Sequence, residues 1–226
     1  MIRAVIFDMY ETLVTLYACP AFMGKQIAAA AGISEQKFRE IWNPSEDDRT
    51  LGKRSVEDVI EEILRVNGRY TPALYEALVT KRKVTAGEHF RYLHSEILPL
   101  FDALKARGIR IGLITNCYFE ERDVIRKTAL FPYFDSVCMS CEVGLKKPDP
   151  AIYERSMQEL AVASEECLYV GDGGSRELET AQAIGMHPLQ ATWYLKEGTG
   201  QPVGRLPEFP QAETPTDVLR VIDTIN

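Results

Sequence analysis

Four polar residues stand where apolar runs stop. Asp8 follows the run 2–7, Thr115 follows 109–114, Lys147 lies just beyond 136–139, and Asp172 follows 166–170. Two carboxylates, a hydroxyl and an ammonium gathered at one place suit nucleophilic displacement at phosphorus or carbon. Asp8 can attack and form a covalent aspartyl ester. Lys147 can hold Asp8 ionised and neutralise charge on the transferring group, with Lys146 beside it as the alternative reaching group. The Thr115 hydroxyl and the backbone amides after Asp8 can donate hydrogen bonds to transferring oxygens. Asp172 offers oxygen to a hard divalent cation, and Mg2+ is the default in a phosphate site.

The elements between these residues must bring them together. Ile2 and the unbroken run Ala4, Val5, Ile6 and Phe7 are apolar, as expected of a strand in a parallel sheet covered on both faces. Further strands are expected at 109–114, 136–139, 166–170 and 186–191, with helices at 99–107, 120–130, 150–161 and up to about 184, and a loop over 197–213. Thr214-Pro215 is expected to open a closing helix. Strands alternating with helices form βαβ units, whose strand ends share one edge where open α/β proteins place ligands. Between about residues 16 and 91 strand signals vanish and helical spacing takes over. Phe22, Ile27 and Ala30 fit one face, Ser34 opens a second helix, Ser55 with Asp58 a third, and Thr71-Pro72 a fourth. Residues 43–54 read as a polar interruption in which Arg49 or Lys53 can reach a substrate anion. The expected organisation is a core of residues 1–15 and 92–226 with a helical insert over 16–91.

With those motifs in order, the chain resembles the haloacid dehalogenase-like hydrolases. The resemblance rests on Phe7-Asp8-Met9-Tyr10-Glu11-Thr12-Leu13, Ile114-Thr115-Asn116, Lys147-Pro148-Asp149-Pro150, and Gly171-Asp172 through Glu177. It implies an α/β fold with a Rossmann-like parallel sheet and an inserted α-helical cap. It further implies Asp8 as nucleophile and Lys147 orienting it. Thr115, Asn116 and Tyr10 would lie against the transferring group. Mg2+ would be held by Asp8, the Tyr10 backbone carbonyl, Asp172 and Glu177. The chain departs from the family's phosphatases at Tyr10, where they carry a second aspartate, and at Glu11, where glycine is usual. Tyrosine resembles the 2-haloacid dehalogenases, whose halide leaves without a proton and without a metal; the acidic fourth motif resembles the phosphatases. The favoured reading is Mg2+-dependent hydrolysis of a small phosphorylated metabolite. Metal-independent 2-haloacid hydrolysis and a catalytically weak binding protein of this fold are the alternatives.

Composition bounds the remainder. A net charge of −7 gives nucleic acid little to hold, and no apolar run approaches membrane-spanning length. Five cysteines leave at least one unpaired and suit a reducing, cytoplasmic setting; Cys138-Met-Ser-Cys141 has no second pair to complete a metal site. Gly171-Asp172-Gly173-Gly174 lacks the glycine spacing of a dinucleotide loop and comes late in the sheet. A small-molecule substrate and a monomer or homodimer are expected.

Overall fold

The computed structural model describes residues 1–196 and 201–226. In chain order its elements are β1 (Ala4–Phe7), α1 (Gly24–Ala31), α2 (Glu35–Trp42), α3 (Glu46–Thr50), α4 (Val56–Val66), α5 (Pro72–Glu88), α6 (Ile97–Ala106), β2 (Arg110–Thr115), α7 (Phe119–Ile125), β3 (Ser136–Met139), α8 (Ser140–Val143), α9 (Pro150–Leu160), β4 (Cys167–Gly171), α10 (Glu177–Ala183), β5 (His187–Ala191), β6 (Gln211–Ala212) and α11 (Asp217–Ile225). The strands form one sheet in the order β3-β2-β1-β4-β5-β6, every neighbouring pair parallel. β1 is therefore central, with Phe7 level with Leu113 on one side and Val170 on the other.

Alternation along each strand feeds two apolar layers. Val5, Phe7, Leu113 and Val170 pack with Phe101 and Leu104 of α6 and Val218 and Ile222 of α11. Ala4, Ile6, Ile114 and Tyr169 face the other way, onto Ile152 and Tyr153 of α9 and Leu178 of α10. Such a Rossmann-like sheet, covered by helices on both sides, is what the unbroken apolarity of residues 4–7 required. A third apolar cluster, from Phe22 to Leu78, is built from α1, α2, α4 and α5. Among the described residues no helix is long and apolar enough to cross a membrane.

Local chemistry sets the helix starts. Ser34 and Thr71 accept from the backbone N–H three residues on, and Ser55 forms a reciprocal capping box with Asp58. Several boundaries differ from expectation. The buried face of α1 is Ile27, Ala28 and Ala31, whereas Ala30 is exposed and Phe22 precedes the helix. The polar stretch 43–54 contains α3, whose three acids at its positive end stabilise a helix with no apolar period. The helix expected over 120–130 stops at Ile125. The closing helix begins at Asp217, whose carboxylate accepts from the backbone N–H groups of Glu213 and Thr214. The expected loop over 197–213 contains β6, and its residues 197–200 lie outside the described residues.

Candidate active site

Because all the strands run the same way, their carboxyl ends meet at one edge. Asp8 leaves β1 there, its backbone N–H donating to Val170 at 2.9 Å. The chain then turns tightly, with the Leu13 and Val14 N–H groups both donating to the Met9 carbonyl. Glu11 takes φ 58° in this turn, a left-handed conformation that favours glycine. Its carboxylate answers by accepting from Thr15 Oγ1, the Leu16 N–H and Gln201 Nε2, at 2.7–2.9 Å. From beyond β5, Trp193 Nε1 donates to the Thr12 carbonyl and the Tyr194 hydroxyl to that of Leu13.

Lys147 reaches Asp8 Oδ1 and Glu177 Oε2, each at 2.5 Å. The neighbouring Lys146 turns away and pairs with Asp47 of α3. Glu177, the first residue of α10, is fully buried. Its Oε2 also accepts from the Tyr169 hydroxyl at 2.8 Å, and its Oε1 from the Gly173 N–H at 3.1 Å. A Cβ at Gly171 would stand 2.0 Å from Glu177 Oε1, so glycine there leaves room for the acid. Asp172 accepts from the Gly174 N–H at 2.8 Å. Carboxylate oxygens of Asp8, Asp172 and Glu177 all lie within 4.8 Å of one another.

Two buried acids and the half-buried Asp172 around one ammonium leave an excess of negative charge. Burial pushes Asp8 up to about 7, with Lys147 opposing and Glu177 adding to the rise. Burial and then the Asp8 charge push Asp172 up to about 6. Burial works against the Lys147 ammonium, but Asp8 and Glu177 outweigh it and hold it charged.

A cavity of about 520 Å³ opens beside this cluster, lined by Tyr10, Asn116, Lys147 and Ser175 from the sheet side and by Leu16, Met23, Trp42, Glu46 and Thr50 from the insert. The Thr115 hydroxyl is buried and accepts or donates no hydrogen bond among the described residues. The Asn116 side chain is occupied differently from expectation. Its Oδ1 accepts from the Lys147 N–H, while its Nδ2 donates to the Lys147 carbonyl and, at 3.4 Å, to Ser175 Oγ. It joins three loops to one another.

Arg49, expected to reach substrate, lies elsewhere. It is 1% exposed, sandwiched by the Trp42 ring at 3.8 Å and the Tyr118 ring at 4.7 Å, and donates to the Trp42 carbonyl and Ser45 Oγ. Its neighbours Glu46 and Thr50 line the cavity instead. Lys53 is paired with Asp48 on the surface, and Tyr17 is exposed. Two further cavity groups had no sequence signal. Arg82 of α5 donates to Glu120 and Glu121 of α7 at 3.0 and 2.7 Å, an ion cluster buried behind Tyr10, and both Arg82 and Glu121 reach the cavity wall. Their spacing of 38 and 39 residues hides the pairing. Arg176 is the second.

Tyr10 is a phenol here. Burial, followed by the Glu121 charge, raises its pKa well above 10, so it can donate a hydrogen bond but cannot serve as a base near neutral pH. Cys117 and Cys141 place their sulfurs 3.9 Å apart as free thiols, and their mutual contact together with burial raises the Cys117 pKa. Cys138 packs in the opposite layer of the core from Cys141.

The arrangement offers an oriented carboxylate, a buried ammonium, an unsatisfied hydroxyl and a cluster of acid oxygens at one cavity. The sequence pattern of the haloacid dehalogenase-like hydrolases matches residues 2–185. Over 198 residues the chain is 27% identical to a glyceraldehyde 3-phosphate phosphatase of Methanocaldococcus jannaschii, an alignment covering 82% of this chain and 83% of that one. It is 30% identical over 127 residues to a phosphoserine phosphatase of Thermus thermophilus, covering 55% and 47%. In three dimensions it is similar to a 2-haloacid dehalogenase of Pseudomonas syringae pv. Tomato DC3000 over the full length of both chains, with a TM-score of 0.73 at 22% identity, a likeness of fold.

Proposed function

The chain belongs to the haloacid dehalogenase-like hydrolases, and we propose that it is a Mg2+-dependent phosphatase acting on a small phosphorylated metabolite. The observation that carries this reading is the convergence of Asp8, Asp172 and Glu177 around a single lysine. Such a cluster holds more negative charge than Lys147 can balance, and burial drives Asp8 and Asp172 toward protonation unless a cation joins them.

The donor set fits a hard divalent ion. Lys147 takes one oxygen of Asp8 and the Gly174 N–H one oxygen of Asp172, which leaves each carboxylate a second oxygen for a cation. The Tyr10 backbone carbonyl is the third donor that the family resemblance implies. Glu177 has both oxygens engaged by Lys147, Tyr169 and Gly173, which leaves it an indirect part in holding the ion. When bound, Mg2+ would neutralise the acids and polarise the phosphoryl oxygens.

In this mechanism an Asp8 oxygen bonds to phosphorus as the bond from phosphorus to the ester oxygen breaks. Lys147 orients Asp8 and balances charge, and the unpaired Thr115 hydroxyl donates to a phosphoryl oxygen. The departing alkoxide accepts a hydrogen bond from the Tyr10 phenol and takes its proton from water. A second water then hydrolyses the aspartyl phosphate. The helices of residues 16–91 act as the cap that closes the cavity and sets its selectivity.

Tyr10 supports a second reading, displacement of halide from a small 2-haloacid, because halide needs no proton. One pair of assays separates them. Mg2+-dependent turnover of p-nitrophenyl phosphate, lost by at least 10³-fold in Asp8→Asn with the circular dichroism spectrum retained, is expected. Chloride release from 2-chloropropionate in the presence of a chelator would reverse the order.

A further inference from the structure

Four basic side chains line the cavity: Arg82, Lys146, Lys147 and Arg176. Three are answered by acids of the chain itself. Lys147 meets Asp8 and Glu177, Arg82 meets Glu120 and Glu121, and Lys146 meets Asp47. Of the acids in the lining, Glu121 is answered by Arg82 and the Tyr118 N–H, while Glu46 lies exposed at the start of α3. Arg176 is different. It is exposed at the rim, and among the described residues its guanidinium meets no carboxylate.

The backbone that presents it is also unusual. Ser175 and Arg176 lie at φ 54° and 53°, two consecutive side-chain-bearing residues in the left-handed region. Such conformations persist only where the surroundings over-determine them, and they gather at ligand sites. Here the surroundings are the catalytic groups. Gly174 is tied to Asp172, Ser175 to Asn116, and the Arg176 carbonyl accepts from Thr180 Oγ1 at 3.1 Å. The next residue is Glu177, which holds Lys147. Arg176 thus carries a guanidinium that meets no acid among the described residues, on a backbone held one residue from the centre of the site.

We propose that Arg176 binds a carboxylate carried by the substrate on the part remote from the phosphate, so that the substrate class is small phosphate esters of hydroxy acids. A guanidinium matches a carboxylate with two parallel hydrogen bonds, and its single charge balances a single negative charge. A second phosphate would bring a surplus of negative charge beside Glu46 and Glu121. This inference rests on the phosphatase reading and narrows it.

The test compares 3-phosphoglycerate with glycerol 3-phosphate, which lacks the carboxylate, in the wild type, Arg176→Ala and Arg176→Lys. Both variants keep a Cβ at the same φ, so the loop is not relieved. The ratio of kcat/KM for the two esters is expected to fall at least tenfold in Arg176→Ala, through KM, and to recover in part in Arg176→Lys. A ratio unchanged within twofold overturns the inference and leaves the phosphatase reading standing. If the wild type hydrolyses neither ester, binding decides the inference, while turnover of p-nitrophenyl phosphate decides the phosphatase reading separately. Calorimetry on Asp8→Asn is then expected to show at least tenfold tighter binding of 3-phosphoglycerate than of glycerol 3-phosphate, a margin lost on adding Arg176→Ala. Equal affinities overturn it.

Discussion

Tyr10 decides how well this site can treat a poor leaving group. A carboxyl in its place could protonate the departing oxygen and then activate water, work ordinarily worth about 10²–10⁴-fold. A phenol held well above its usual pKa is a weaker proton donor to that oxygen and no base for water. Turnover is therefore expected to depend steeply on the leaving group, aryl phosphates far outpacing alkyl ones. Tyr10→Asp should raise kcat for an alkyl phosphate by roughly tenfold or more, which a steady-state comparison of the two ester types will show. Lys147→Ala should lower kcat by at least about 10²-fold by releasing Asp8. Lys146→Ala, which breaks an exposed pair with Asp47, should change it less than about threefold. The positions of Asp8, Thr115 and Asp172 were legible because a polar residue ending an apolar run marks a strand's carboxyl end. The run of residues alone left Lys146 and Lys147 open, since adjacent residues of a turn point apart; the lysine before proline of the family resemblance chose Lys147, which is the one that meets Asp8. Arg49 misled for a related reason. The ring that covers it, Tyr118, comes from 69 residues away in sequence, and no local pattern announces it.

Between elements, the contact of α5 with α7 has the most at stake. Arg82, Glu120 and Glu121 form a buried triad with one carboxylate too many, and Glu120 Oε2 finds no partner among the described residues. Burial, followed by the Glu121 charge, pushes Glu120 up to about 7 from an ordinary carboxylate value near 4.5. The folded chain therefore holds that proton more tightly than the unfolded one. Its stabilising contribution is full below about 4.5 and is lost as pH rises toward 7. Thermal melts between these limits should fall with pH in the wild type and fall less in Glu120→Gln, which should be the more stable protein at pH 8. Arg82→Ala should cost about 3–5 kcal/mol in denaturant titrations, because it strands two acids in the interior. Helices announced by their own caps, at Ser34, Ser55 and Thr71, could be read from sequence. α3 could not, since five polar residues carry no period, nor could the start of α11, where the Asp217 carboxylate ties back to the N–H groups of Glu213 and Thr214 ahead of the helix.

Across the whole molecule, the sheet order β3-β2-β1-β4-β5-β6 gathers residues 8, 115, 147 and 172–177 at one edge. Parallel topology was legible from alternation of strand and helix, and the unbroken apolarity of residues 4–7 told of burial on both faces. A cation held by such distant segments would tie the fold together. At 100 times its Kd, Mg2+ would stabilise by about 2.7 kcal/mol. That corresponds to a rise of roughly 5–10 °C in Tm for a chain of this size. Asp172→Asn should abolish most of the rise, and an equal response in that variant would place the ion elsewhere.

The central place of β1 has a bearing on biosynthesis. Its two neighbours are residues 110–115 and 167–171, so a chain leaving the ribosome has Ala4–Phe7 in hand long before either flank exists. At usual elongation rates the second flank follows on the order of ten to thirty seconds later. During that interval an apolar four-residue segment has both hydrogen-bonding edges open and depends on residues still to come for its cover.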